Sequence, residues 1–139
     1  MDYKRTGKEI ILRLDEGEEA VQSIISICKK EGVQSALVTG IGAVREAELA
    51  HFDTKEMGYH SRKYEGIYEV VSLTGNIAML GGEPLLHAHT VIADTGFSCH
   101  GGHLNRAIVN PTLEVTMLLL ETEIRREKDE RTGLNLQRF

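Results

Sequence analysis

The residues best suited to chemistry are His87-Ala-His89 and, further on, Gly101-Gly102-His103. Side chains at i and i+2 of a β-strand share a face, so His87 and His89 project together if their segment is extended. Leu85 to Ile92 (LLHAHTVI) reads as such a strand. Asp94-Thr95-Gly96 then supplies turn chemistry, and Phe97 to His103 can run back alongside, bringing a third imidazole to the first two. Three neutral imidazoles suit zinc or another divalent ion and leave a fourth coordination position for water or a ligand. The residue pattern leaves one choice open: a two-residue turn would set His100, rather than His103, opposite His89. His51 and His60 lie in a separate segment and are read as solvated.

These histidines need a scaffold, and the elements around them supply one. Tyr3 to Leu14 ends in a β-prone run. Asp15-Glu16-Gly17-Glu18 then has the form of a helix capping box. Ala20, Val21, Ile24, Ile25 and Cys28 recur at helical spacing, and Gly32 is placed to end the helix in a left-handed cap. From Ser35 the pattern turns to strands: SALVTGIGAV, EAELAHFD, a polar turn near Thr54 to Gly58, Tyr59 to Tyr64, and Ile67 to Leu73. Leu85 to Ile92, Phe97 to His103 and Leu113 to Glu123 follow. The expected fold is α+β with a mainly antiparallel β-sheet and one main helix laid across it, in a single domain over 1–139.

Composition narrows the function classes. Twenty-one acidic against sixteen basic side chains give a formal charge of −5, which opposes a broad electrostatic footprint on nucleic acid. Arg125-Arg126 and Lys128 alternate with Glu127, Asp129 and Glu130, which reads as a solvated, self-paired surface. Two cysteines, Cys28 and Cys99, are too few for a disulfide framework and read as reduced thiols of a cytoplasmic protein. The longest apolar stretch, around Val115 to Leu120, is too short to span a bilayer. Gly40-Ile41-Gly42-Ala43 lacks the third glycine and following helix of a dinucleotide fold. Gly75, Gly81-Gly82 and Gly101-Gly102 read instead as tight turns or close backbone approaches near the histidines.

The order of these elements resembles the PPC (plants and prokaryotes conserved) domain family in its free-standing prokaryotic form. The likeness spans nearly the whole chain. It includes Thr39-Gly40-Ile41-Gly42-Ala43-Val44, Glu69 to Asn76 (EVVSLTGN), His87-x-His89, Gly101-Gly102-His103-Leu104 and Leu113-Glu114-Val115. The resemblance implies an antiparallel sheet flanked by one main helix and short helices, implies assembly into a homotrimer, and selects His103 over His100 as the third metal ligand beside His87 and His89. In plants the domain follows AT-hooks that bind A·T-rich DNA; this chain has no Arg-Gly-Arg hook. The implied function is a metal-binding, DNA-binding-related or regulatory protein acting through partners or a ligand.

A more distant similarity, to acetolactate decarboxylase, implies an alternative: a small zinc-dependent lyase or hydrolase. In that enzyme a His-x-His plus Gly-Gly-His zinc site polarises a keto acid. Such chemistry needs an acid or a positive clamp beside the ion. Glu114 and Arg106 are near in sequence, and read as a strand-face carboxylate and a surface arginine.

Overall fold

The computed structural model describes residues 1–139. Its elements are β1 (Asp2–Thr6), β2 (Glu9–Asp15), α1 (Ala20–Glu31), β3 (Ala36–Asp53), β4 (Gly58–Leu80), β5 (Glu83–Ala93), β6 (Cys99–Leu119), β7 (Arg125–Lys128) and β8 (Asn135–Arg138). The α+β class holds, but the expected short helices are absent. Tight turns join β3, β4, β5 and β6, and they leave no room for another helix.

The helix begins later than a capping box at Asp15 would place it. Glu18 does reach back, its Oε2 accepting the Asp15 N–H at 2.7 Å, yet this pair closes a turn before the helix. Gly17 has φ 87°, a left-handed conformation through which no right-handed helix can start. The N–H of Gly17 also donates to the Val109 carbonyl, and Val109 N–H to the Glu18 carbonyl, tying the turn to β6. Glu19 therefore caps α1, its carboxylate accepting from Val21 N at 3.2 Å and Gln22 N at 2.8 Å. Ala20, Ile24, Ile27 and Cys28 face the sheet, and Gly32 ends the helix in the left-handed conformation as expected.

All strand pairs but one are antiparallel; β7 runs parallel to β4 at Arg125 and Met79. Strand β6 lies between β2 and β3 along its second half, and between β5 and β3 around His103. Strands β3, β4, β5 and β6 thus close on themselves. The segments Phe97 to His103 and Leu113 to Glu123, expected as separate strands, fall in part on this one strand β6, which starts at Cys99 and ends at Leu119. Between the pairs Val44–Val109 and Gly42–Leu113, β6 carries more residues than β3. Pro111, which has no N–H to donate, sits in that irregularity, so the strand passes through it. The β-prone run expected at the end of Tyr3 to Leu14 is β2, and the residues before it form β1, paired with it in a hairpin that turns at Gly7.

Register sorts the side chains into rows. On the helix-facing side Ile10, Met117, Val38, Gly75 and Ala88 follow one another across five strands. On the opposite side the neighbouring row reads Ile11, Thr116, Thr39, Thr74, His89, His103. The first row includes a close approach that only glycine permits: a Cβ on Gly75 would lie 2.4 Å from the His87 carbonyl oxygen and 2.8 Å from the Ala88 Cβ. The strand bearing the histidines is therefore packed directly against β4.

Candidate metal centre

His89 and His103 are partners across β5 and β6, and His87 lies on the same face two residues away. The five-residue turn from Asp94 to Ser98 sets this register. Asp94 Oδ1 accepts from Gly96 N at 2.8 Å and Ser98 N at 3.0 Å, while Phe97 N–H donates to the Asp94 carbonyl at 2.9 Å. A two-residue turn is excluded. His100 consequently pairs with Ile92 and stacks on Tyr64 at a centroid distance of 4.7 Å, away from the other histidines.

The three rings meet with centroid separations of 5.4 Å (His87–His89), 5.1 Å (His87–His103) and 5.5 Å (His89–His103). One nitrogen from each lies within 4.8 Å of the others. Burial pushes the His87 imidazolium down to about pKa 4, with the charges of Arg126, His103 and His89 acting in the same sense. His103 is lowered too, by burial first and then by His89 and Arg126. Both rings are neutral at pH 7, the form that donates a lone pair. The Nδ1 of His103 is buried with no hydrogen-bond partner. Leaving a buried polar atom unsatisfied costs about 1–3 kcal/mol, and a cation held at that nitrogen would satisfy it. With imidazoles as donors and no carboxylate among them, the set fits zinc or a similar divalent ion better than magnesium or calcium.

The wall beside these rings comes from the C-terminal hairpin. Arg126 of β7 is only 9 % exposed, contrary to the solvated, self-paired reading of its segment. Arg125 pairs with Glu123 at the surface, but strand alternation turns Arg126 inward. Its Nη2 donates to Asn76 Oδ1 at 2.8 Å and its Nη1 to the Asn135 carbonyl at 2.9 Å, while Nε, also buried, has no partner. Asn76 is the register neighbour of His87 and also accepts from Gln137 Nε2 at 3.2 Å, so it joins the hairpin to the histidine strand. Arg126, His87, His103, Tyr59, Leu85 and Leu134 line a cavity of about 320 Å³. The signal for Arg126 in the sequence was the alternation of Arg125-Arg126-Glu127-Lys128 if read as a strand.

Arg106 and Glu114 keep their bland readings. Arg106 ion-pairs with Glu46 at 2.9 Å, and exposed Glu114 pairs in register with Arg13 and Ile41. Cys28 is buried against Met117, which pushes its thiol up to about pKa 12, and Cys99 is exposed; both are free. No helix is long and apolar enough to cross a membrane. A second group of donors, Asp53, Glu56 and His60, clusters in and just after the turn between β3 and β4.

The fold has close counterparts among solved structures. A candidate DNA-binding protein from Bacteroides thetaiotaomicron superposes with a TM-score of 0.96 at 30% identity, covering 99% of this chain and 96% of that one. A metal-containing protein from Archaeoglobus fulgidus gives 0.90 at 33% identity, over 100% and 99% of the two chains. The plant- and prokaryote-conserved (PPC) protein of Pyrococcus horikoshii gives 0.88 at 30% identity, over 99% and 94%. Acetolactate decarboxylase from Bacillus subtilis shares the fold alone, with a TM-score of 0.61 at 10% identity over 91% of this chain and 58% of the enzyme. No protein with a curated description matches the chain. The Plants and Prokaryotes Conserved (PCC) domain, the family also written PPC, matches residues 1–121, and the chain belongs to that family.

Proposed function

We propose that His87, His89 and His103 hold one divalent metal ion, zinc by the chemistry of the donor set, and that the protein is a homotrimeric binding or regulatory protein. The observation that carries this reading is the convergence of three imidazoles on a site where a buried ring nitrogen of His103 has no partner. The metal-containing relative from Archaeoglobus fulgidus supports it. When bound, the ion would supply a Lewis-acidic anchor for a ligand atom at a fourth position. Elemental analysis of metal-replete wild type and His89→Ala tests the reading. The expected result is one ion per chain in the first and none in the second; equal content in both, or none in either, sinks it.

Trimer formation gains support from the sheet face opposite the helix. Ile11, Leu37, Ile41 and Leu118 are 43–60% exposed there, and a second chain would remove them from water. Light scattering is expected to give about three times the chain mass, and a stable monomer at micromolar concentration would refute the assembly. Similar proteins include candidate DNA-binding proteins, yet this chain carries −5, or about −15 per trimer if charges add. Contact with nucleic acid then needs a partner or a local patch, and duplex DNA alone is expected to bind no more tightly than about 10⁻⁵ M at physiological salt. Fluorescence anisotropy against salt checks this; nanomolar binding with a steep salt slope would move direct DNA binding to the front.

The second reading, a small zinc-dependent lyase or hydrolase, is favoured by one observation: Arg126 stands beside the imidazoles as a positive clamp would. Against it, no carboxylate lines the cavity, and the only hydroxyl there belongs to Tyr59. Proton transfer by a placed acid–base pair is therefore unsupported, which leaves binding as the stronger reading.

A further inference from the structure

We infer that the cavity beside the three histidines binds a small organic monocarboxylate, with Arg126 receiving the carboxylate and Leu85, Leu134 and Leu136 its short apolar chain. The inference names the ligand class of the site proposed above and rests on that reading for the ion. Its own ground is the state of Arg126. Arg126 is nine-tenths buried as a residue, and the partners of its guanidinium within the chain are two neutral oxygens, of the Asn76 side chain and the Asn135 backbone. A buried charge without a counter-ion is disfavoured unless something compensates it. Nothing lining the cavity does: its residues include no Asp or Glu, and a divalent ion on the histidines would add positive charge.

The donor geometry selects the class of anion. A guanidinium has five N–H groups in a fixed plane, and two of its nitrogens are held by Asn76 and Asn135 while Nε has no acceptor. Nε is sealed from the cavity, but Nη1 and Nη2 each keep a second N–H, and such paired donors suit the two oxygens of a planar carboxylate. A phosphate would call for more donors than this cavity has, since no lysine lines it and half of its residues are hydrophobic. Its volume, about 320 Å³, is at the small end of ligand sites and leaves room for about ten non-hydrogen atoms at about 30 Å³ each. The hairpin of β7 and β8 lies beyond the 121 residues of the family match, although the solved relatives align over 99–100% of the chain.

Calorimetric titration with butyrate, butyramide and inorganic phosphate tests the inference, on zinc-loaded and on chelator-stripped protein. Butyrate is expected to bind once per chain at millimolar concentration or below, and butyramide and phosphate at least about tenfold more weakly. Arg126→Gln is expected to lose at least about tenfold in butyrate affinity with zinc content unchanged, and Arg126→Lys to recover only part of the loss. In wild type, which avoids any folding defect of the variants, butyrate should shift one arginine Nε–H resonance in a nitrogen-edited NMR spectrum, and butyramide should not. Zinc uptake without butyrate binding, equal affinity in wild type and Arg126→Gln, or tighter phosphate than butyrate would each overturn the inference and leave the metal reading standing. Failure to take up zinc, with Arg126-dependent butyrate binding intact, would remove the metal reading and support the carboxylate site.

Discussion

Two groups of potential metal ligands lie in this protein, and they differ in what already occupies their donor atoms. His87, His89 and His103 sit on strands whose register is fixed by long ladders, and the buried Nδ1 of His103 is unpartnered. Asp53, Glu56 and His60 are as close to one another, yet their donors are spent locally. Asp53 Oδ1 accepts from Lys55 N at 2.7 Å and Glu56 N at 3.0 Å, and Glu56 takes His60 Nε2 at 3.0 Å. The second group is a turn stabilising itself in water. Proximity of donors is thus the weaker criterion; a donor that folding has dehydrated and left unpartnered is the stronger one.

The sharpest way to break this comparison is through metal content. His89→Ala is expected to lower affinity for zinc by at least about 100-fold, whereas Asp53→Ala leaves it unchanged. Competition with a chromophoric chelator measures both, and loss of metal from Asp53→Ala would reverse the assignment of the two groups.

Next in size is the effect of the backbone behind each group. Gly75→Ala forces a methyl group against the His87 carbonyl oxygen, now 2.4 Å from the Cβ position, and is expected to cost about 3 kcal/mol. Gly58→Ala, where the nearest atom is the Glu56 carbonyl oxygen at 3.9 Å, is expected to cost less than about 0.5 kcal/mol. Urea unfolding of the two variants decides whether the strand site is held as tightly as the register implies; equal costs would contradict it.

A smaller effect separates the groups by pH. The folded pKa of His87, about 4, lies below the ordinary value of 6.5, so between these values the unfolded chain binds more protons and stability falls as pH falls. His103 contributes with the same sign. Metal-free wild type should lose stability from about pH 6.5 down to pH 4, and His87→Asn should flatten that slope by about 1–2 kcal/mol after allowance for the partly exposed ring. Denaturant midpoints across that range give the slope, and an unchanged slope would mean the ring is better solvated than its burial indicates. A modest effect is also expected from Asp53→Ala on stability, about 0.5–1 kcal/mol for the two lost turn hydrogen bonds, read from the thermal midpoint.

The histidine pair was legible in the sequence because strand periodicity is local, and the helix was legible from Ala20 to Gly32 for the same reason. The third histidine was open between His100 and His103 on residue pattern alone; the Asp94 turn, with Phe97 at φ 62°, sets the register that selects His103. The helix start was misread because the left-handed conformation of Gly17 and its bond to Val109 depend on a strand about ninety positions away. Arg126 was invisible as a site residue for a similar reason. Its guanidinium is held by Asn76, on another strand, and by the Asn135 carbonyl of β8, across its own hairpin.

The amino-acid sequence by itself determined which residues alternate along each strand, where the helix ends, that His87 and His89 share a face, and that the chain is acidic. These follow from sterics and periodicities that act over a few residues. Tertiary structure decided that His103 rather than His100 joins them, that Arg126 is dehydrated beside them, and that the donors of Asp53, Glu56 and His60 are already engaged. Register and burial depend on which distant segments pack together, because hydrogen bonding and desolvation are settled by whatever surrounds an atom in space and not by its neighbours along the chain.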